Sequence, residues 1–329
     1  MAALLDTVLA QPTAVGTLRR ALETGRVHHA WLFDGPPGVG KELAAFGLAQ
    51  ALVCERRAPG GAAACGACRA CERALLRKGE RRPVHPDVIV LERGLYEPAT
   101  IGRRTPETQD LSIDQVRTLV LARAAFPPHE GRAKVFIVRR AEELSTSAAN
   151  ALLKTLEEPI PLTYFMLLTE APGAMLPSVL SRTQRVRFAP LPDEVIVSLL
   201  EGRGVPKEQA RGVVELAAGS LELALAACDP DESATRDAFV TAAERALEAA
   251  DLGPALELAE GAKKGKVGLD RLLYAFAARL AQRGRAGAPA EAARAAARYA
   301  LALQAVRDLD RNASAQLVVE SMLVRMRAT

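Results

Sequence analysis

Short apolar runs recur along the chain up to about residue 190, and each is long enough for one buried strand. The segments between them carry apolar residues at helical spacing, with Ser112 and Ser145 placed as helix N-caps and Pro159 as a helix stop. Unbroken apolar strands that alternate with helices are typical of a parallel sheet with helices on both faces. The pattern therefore predicts an α/β domain over residues 1–189, with strands at residues 30–33, 85–91, 134–138, 164–169 and 185–188.

After Leu191 the strand pattern stops and only helical patterns follow. Three short helices are predicted over residues 190–230, which would make a compact second domain. The sequence Asp-Pro-Asp-Glu at residues 229–232 then indicates a hinge. Beyond it, an alanine- and leucine-rich remainder predicts a third, all-α domain over residues 231–329.

The composition indicates a large globular protein but does not identify a binding partner. The chain has 329 residues, 49% of them hydrophobic, which is enough for several packed domains. Its net charge of +4 permits contact with nucleic acid but does not argue for it. Residues 1–9 lack the basic-plus-apolar pattern of a signal sequence, and no apolar run approaches the roughly 18 residues that span a bilayer. We expect a cytoplasmic protein that does not contact a membrane.

A glycine-rich turn follows the first predicted strand and leads directly into a helix, in the order that forms a P-loop. Its glycines let backbone N–H groups surround a phosphate, and the helix N-terminus and a lysine add positive charge. The last position departs from the pattern G-x-x-x-x-G-K-[ST], because a carboxylate replaces the hydroxyl group that binds Mg²⁺. This replacement disfavours tight binding of Mg·ATP and leaves open whether any nucleotide binds. The candidate nucleotide-binding residues are Gly35, Gly38, Gly40, Lys41 and Glu42.

The acidic residues that hydrolysis needs are also missing. An ATP-hydrolysing P-loop protein carries acids at the end of a central strand, where they hold Mg²⁺ and orient the attacking water. Here Arg139 and Arg140 follow the strand at residues 134–138. Glu142 and Glu143 come about a helical turn later, so we expect them to point away from a γ-phosphate. The sequence thus predicts a degenerate P-loop without hydrolytic parts.

Four of the five cysteines lie close together in the sequence, with the spacing C-x10-C-x2-C-x2-C. Four thiolates satisfy the tetrahedral preference of zinc and leave no open position for water, so such an ion would be structural. The predicted ligands of zinc in this insertion, at about residues 54–71, are Cys54, Cys65, Cys68 and Cys71. Free buried thiols and an iron–sulfur cluster are the alternatives that the spacing leaves open.

Several of these motifs together resemble the bacterial clamp-loader subunits of DNA polymerase III, which belong to the AAA+ class. The matching segments are residues 29–33 (HAWLF), the cysteine insertion, residues 150–159 (NALLKTLEEP), residues 180–182 (LSR) and residues 316–320 (QLVVE). The resemblance implies an α/β P-loop AAA+ domain at residues 1–189, a helical lid at 190–230 and a helical collar at 231–329. The collar would join five subunits into a ring.

The resemblance also implies a division of labour between subunits. The motor subunits, gamma and tau, hydrolyse ATP, whereas a related subunit does not and serves as a rigid platform. The residues at positions 42, 139 and 140 place this chain with the non-hydrolysing type, and so does Glu222, which stands near a sensor arginine of the motors. Arg182 holds the position of an arginine finger that reaches the neighbouring subunit's ATP, although Thr183 replaces the family's cysteine.

The expected function is therefore to help load a sliding clamp onto primed DNA, with gamma or tau and delta as ring partners. No intrinsic ATPase is expected, and DNA polymerase activity would belong to the whole complex. The alternatives are an ATP-hydrolysing motor subunit of the gamma/tau type and a P-loop phosphotransferase that acts on a small molecule. The sequence shows no obvious substrate pocket for a phosphotransferase. For Arg182, a role as an ordinary surface arginine also stays open.

Overall fold

Five parallel strands form the predicted sheet. A computed structural model describes residues 3–58, 60–103, 110–130, 132–264, 268–310 and 313–329. Across the sheet the strand order is β2-β3-β4-β1-β5. The strands in chain order are β1 (Ala30–Asp34), β2 (Val88–Leu91), β3 (Lys134–Val138), β4 (Thr163–Thr169) and β5 (Gln184–Arg187).

Three of the five strands are covered on both faces. Every residue of β1, β2 and β3 is buried, and successive side chains of a strand point to opposite faces, so neither face of these strands is open to water. The rings of Phe136 and Phe165, on adjacent strands, stack with centroids 5.1 Å apart in the core. The predicted α/β class is confirmed.

The helices around the sheet follow the sequence signals closely. Ser112 and Ser145 cap helices as predicted, since their hydroxyl oxygens accept the backbone N–H groups of Gln115 and Ala148. Between α4 and α5 the chain forms a π-helical segment, Val116–Leu121. These helices are α1 (Pro12–Glu23), α2 (Lys41–Val53), α3 (Arg69–Arg73), α4 (Ile113–Gln115), α5 (Ala122–Ala124), α6 (Thr146–Glu157) and α7 (Pro177–Leu180).

The chain divides into two compact units, Met1–Leu191 and Pro192–Thr329. In the second unit all regular structure among the described residues is helical, and α11 to α15 share a core that includes Leu273, Phe276 and Leu323. Its helices are α8 (Asp193–Glu201), α9 (Lys207–Ala217), α10 (Leu221–Cys228), α11 (Pro230–Glu248), α12 (Gly253–Lys264), α13 (Leu269–Ala286), α14 (Pro289–Asp310) and α15 (Ala315–Arg327).

The hinge predicted at residues 229–232 coincides with the start of a long helix, because α11 begins at Pro230, one residue after Asp229. The boundary predicted between residues 230 and 231 thus falls inside the first turn of α11. The division of this unit into a lid and a collar stays a prediction. No described helix has the length and hydrophobicity that crossing a bilayer requires.

Two helical glycines provide a matched test of packing in the first unit. A Cβ added at Gly47 in α2 would lie 2.7 Å from the backbone nitrogen of Leu5, whereas one added at Gly16 in α1 would meet no atom within 4 Å. We expect Gly47→Ala to destabilise the unit by about 1–2 kcal/mol, because overpacking exceeds the gain in helix propensity. Gly16→Ala should stabilise it by about 0.5–1 kcal/mol.

Urea denaturation followed by fluorescence of Trp31 measures both variants. Trp31 is the only tryptophan of the chain and is fully buried in β1, so its signal reports on the first unit. Equal unfolding midpoints for the two variants would contradict the close packing of α2 against Leu5.

Candidate functional site

The P-loop backbone has the conformation that its glycines were predicted to allow. Gly38 and Gly40 adopt positive φ values of 65° and 100°, and Gly40 is the N-cap of α2. A Cβ at Gly35 would lie 2.4 Å from the carbonyl oxygen of Phe188, so only glycine fits there without a shift of the backbone. The turn therefore keeps the shape of a phosphate-binding loop at the carboxyl end of β1.

The lysine of the loop is turned back onto the loop itself. The Lys41 Nζ donates to the carbonyl oxygens of Gly35 and Pro36, both at 2.5 Å, and the residue is 8% exposed. In this arrangement the ammonium group supports the loop from within. Two of the three N–H donors of the ammonium group are therefore engaged by carbonyl oxygens of the loop.

Glu42 and Arg139, which depart from the pattern of an ATP-hydrolysing P-loop, contact each other in the structure. Glu42, at the start of α2, forms an ion pair with Arg139, which follows β3. The Arg139 guanidinium also bonds to a Glu92 carboxylate oxygen at 2.7 Å and to the Arg81 carbonyl oxygen at 2.8 Å. With 11% exposure, the Arg139 side chain is nearly enclosed by these groups and lies 5.8 Å from the Phe46 ring centroid.

Glu92 is a site residue that the sequence analysis missed. It comes directly after β2 as Arg139 comes directly after β3, and these two strands are adjacent and parallel. Residues that follow neighbouring parallel strands lie at the same edge of the sheet, and this signal could have identified Glu92. Gln115, at the end of α4, is fully buried and donates to the Glu92 carbonyl oxygen at 3.0 Å, which fixes the backbone there.

The acids that come later in the sequence are engaged away from this pair. Glu143 forms ion pairs with Arg93 at 3.3 Å and Arg140 at 3.2 Å, and burial raises the pKa of its carboxyl group. A Glu142 carboxylate oxygen accepts the backbone N–H of Glu170 at 3.4 Å. Neither contact is one that a Mg²⁺ ligand of the P-loop would make.

Arg182 lies at the amino ends of the strands, whereas the P-loop lies at their carboxyl ends. It precedes β5, whereas the P-loop follows β1, and β1 and β5 are adjacent and parallel. The length of one strand separates these two ends by roughly 15 Å. The Arg182 guanidinium forms an ion pair with Glu157, the last residue of α6. Arg182 therefore does not belong to the site around Lys41 in the same chain.

The four clustered cysteines form a site that can hold a metal ion. The Sγ atoms of Cys54, Cys65, Cys68 and Cys71 all lie within 4.8 Å of one another. Tetrahedral zinc with Zn–S bonds of 2.3 Å requires sulfur atoms about 3.8 Å apart, and those of Cys65 and Cys71 are separated by 3.9 Å. The four cysteines therefore fit a tetrahedral zinc ion.

Two further features of the cysteine cluster suit a metal. The backbone N–H of Cys65 donates to the Cys54 sulfur, and that of Cys68 to the Cys65 sulfur, each at 3.3 Å. A hydrogen bond from the Ala67 backbone N–H is the main cause that lowers the pKa of the Cys65 thiol to about 6. Burial raises the pKa of the Cys71 thiol, so an ion would have to displace that proton.

Glu222 is also neutralised within its own unit. This residue lies in α10, at the position where the resemblance implied a missing sensor arginine, and it pairs with Arg271 of α13 at 2.7 Å. The pair is half-exposed and contributes little to stability.

Comparison with known proteins identifies the family. The family model described as "DNA polymerase III, delta subunit" matches residues 10–192, which is more than half of the chain. This chain belongs to the DNA polymerase III delta subunit family. The matched region contains the sheet, the P-loop, the cysteine cluster and Arg182.

Curated relatives carry two kinds of name. A DNA polymerase III subunit delta prime from Pseudomonas aeruginosa is 38% identical over 192 residues, which are 58% of this chain and 52% of that protein. The delta prime subunit of Escherichia coli is 33% identical over 230 residues, 70% of this chain and 63% of that protein. A gamma/tau subunit from Mycobacterium bovis is 33% identical over 193 residues, 59% of this chain and 30% of that protein.

The ion-pair network predicts a contrast between two neighbouring arginines. Arg139→Gln leaves Glu42 and Glu92 close together without their shared cation, so we expect the first unit to lose about 1–3 kcal/mol of stability. Arg140→Gln is the control, because Arg140 has a side chain 57% exposed and should change stability by about 0.5 kcal/mol or less. Urea denaturation with Trp31 fluorescence compares them. Equal losses would contradict a special role for Arg139.

Proposed function

We propose that this chain is a non-hydrolysing clamp-loader subunit of the delta prime type in DNA polymerase III. It would help to load a ring-shaped sliding clamp onto primed DNA and would supply Arg182 to the ATP site of a neighbouring subunit. The relatives named delta prime support this assignment, although this chain spans only 52% and 63% of the two compared here. The activity, partners and location of the whole protein are therefore part of the proposal.

The Arg139–Glu42 ion pair is the observation that carries the proposal. In a hydrolysing P-loop protein, a hydroxyl group and acidic residues hold Mg²⁺ and orient water. Here both positions have changed, and the new side chains neutralise each other with a guanidinium 11% exposed. A cation fixed by Glu42 and Glu92 repels Mg²⁺, and no carboxylate in this network remains unpaired to orient water. We infer that the subunit does not hydrolyse ATP.

The alternative of a gamma/tau-type motor subunit rests on the relatives that carry those names. The same ion pair argues against it, as does the Lys41 ammonium bonded to the loop's own carbonyl groups. Binding of ATP without hydrolysis is compatible with the shape of the loop. Magnesium-dependent turnover by the isolated chain would favour the motor alternative.

The position of Arg182 supports a role in trans. Because it lies at the amino ends of the strands, it is remote from the P-loop of its own chain and would contact the nucleotide of a different subunit. A guanidinium can neutralise the charge that develops on a γ-phosphoryl group. In the proposed five-membered ring, the partners are gamma or tau and delta, and the complex works in the cytoplasm.

The role of Arg182 is tested in the assembled complex. We expect Arg182→Ala to slow clamp-stimulated, DNA-dependent ATP hydrolysis at the neighbouring site about tenfold or more, since arginine fingers make large contributions to the rate. Arg187→Ala is the control, because this side chain is 76% exposed in the same segment. Circular dichroism checks that both variants fold. An unchanged rate in Arg182→Ala would show that Arg182 is an ordinary surface residue.

For the metal we propose structural zinc bound by Cys54, Cys65, Cys68 and Cys71. Elemental analysis of the purified chain should find about one equivalent of zinc. Cys68→Ser should lose it and destabilise mainly the insertion. Cys228→Ser is the matched control, because Cys228 is the fifth cysteine and lies outside the cluster. Iron in place of zinc, or full metal content in Cys68→Ser, would contradict the proposed zinc site.

A further inference from the structure

The guanidinium of Arg182 is held by its own subunit. Its Nε donates to a Glu157 carboxylate oxygen at 2.5 Å, and one Nη forms an ion pair with the same oxygen. The other Nη donates to the Ser178 carbonyl oxygen at 2.8 Å and to the Ser181 hydroxyl oxygen at 3.2 Å. Each of the three guanidinium nitrogen atoms therefore has a contact within its own subunit.

Glu157 has a position that favours this contact. It is the last residue of α6, where the helix dipole is negative and a carboxylate is disfavoured unless a cation lies close. Leu152 and Leu156, both fully buried, anchor this end of the helix in the core. Glu158 follows directly, is exposed, and makes no ion pair among the described contacts. Of the two adjacent glutamates, only Glu157 pairs with the guanidinium.

The carboxylate and a phosphate require the same donors. A bidentate contact with phosphate uses two N–H groups that lie side by side on the guanidinium. In this structure Nε donates a hydrogen bond to Glu157 and the adjacent Nη lies in an ion pair with the same oxygen, so both groups that could form such a contact face Glu157. Arg182 therefore has to release Glu157 before it can grip the γ-phosphate of a neighbouring ATP in this way.

We propose that Glu157 is a positioning residue that holds Arg182 in a resting orientation until a neighbouring phosphate displaces it. This inference rests on the proposed role of Arg182 in trans. Arg182 and Glu157 have side chains 34% and 45% exposed, so water and salt weaken their attraction. An exposed pair changes an equilibrium by up to about fivefold. The contact is thus strong enough to bias the side chain and weak enough for a polyphosphate to displace.

The first test uses the isolated chain and requires no knowledge of the neighbour. NMR measures the exchange with water of the Arg182 Nε–H proton, which is assigned by its disappearance in Arg182→Lys. In Glu157→Gln the exchange should become about two- to fivefold faster, because the charged acceptor is lost. Glu158→Gln, the matched control, should leave it unchanged. Equal exchange in the two variants would overturn the proposal.

The second test uses the assembled complex and its clamp-stimulated, DNA-dependent ATP hydrolysis. Glu157→Gln should raise the initial rate about two- to fivefold, and Glu158→Gln should not change it. Combined with Arg182→Ala, Glu157→Gln should have no further effect, because it acts only through the guanidinium. A rate in Glu157→Gln that is unchanged or lower would overturn the inference.

The two proposals fail in different ways. If Arg182→Ala does not slow hydrolysis, the role of Arg182 in trans is wrong. If Arg182→Ala slows hydrolysis but Glu157→Gln behaves like Glu158→Gln, Arg182 keeps its role and only the positioning role of Glu157 is lost. A rate increase that persists in the double variant would show that Glu157 acts by a route other than Arg182.

Discussion

A single ion-pair network organises the carboxyl edge of the sheet. Arg139 joins the end of β3 to the start of α2 through Glu42, and to the end of β2 through Glu92. A guanidinium 11% exposed needs compensating charges, because an unpaired charge in that environment is strongly disfavoured. The network therefore ties together three elements whose tips, in a nucleotide hydrolase, would hold Mg²⁺ and water. In this chain the same tips are joined by the ion pairs of Arg139.

The chain uses the same chemical pair twice, with different consequences. Both Arg139 and Arg182 bond to glutamates, but Arg139 is nearly enclosed and has two carboxylate partners, whereas Arg182 is a third exposed and has one. Burial strengthens the first contact and solvent screens the second. One pair is suited to fixed structure and the other to exchange with an outside anion. This contrast is consistent with the role in trans that we propose for Arg182.

Local chemistry made much of the fold predictable. Residues close together in sequence determine the unbroken apolar strands, the caps at Ser112 and Ser145 and the cysteine spacing. The structure confirms the strands and the caps, and it places the four clustered cysteines close together. Proline both ends and starts helices, so the sequence did not reveal that α11 begins at Pro230, within the predicted hinge. Glu92 and Glu157 were missed because their partners lie 47 and 25 residues away.

Periodicity and the residue types at motif positions were enough to predict the class of fold, the order of its elements and the absence of a hydroxyl group and acids from the P-loop positions. The ion pair between Glu42 and Arg139 became visible only in the folded chain, because 97 residues separate them. The same holds for Arg182 and the P-loop, which lie at opposite ends of the strands. Such facts depend on which strand ends become neighbours, and that is set by packing across the whole sheet.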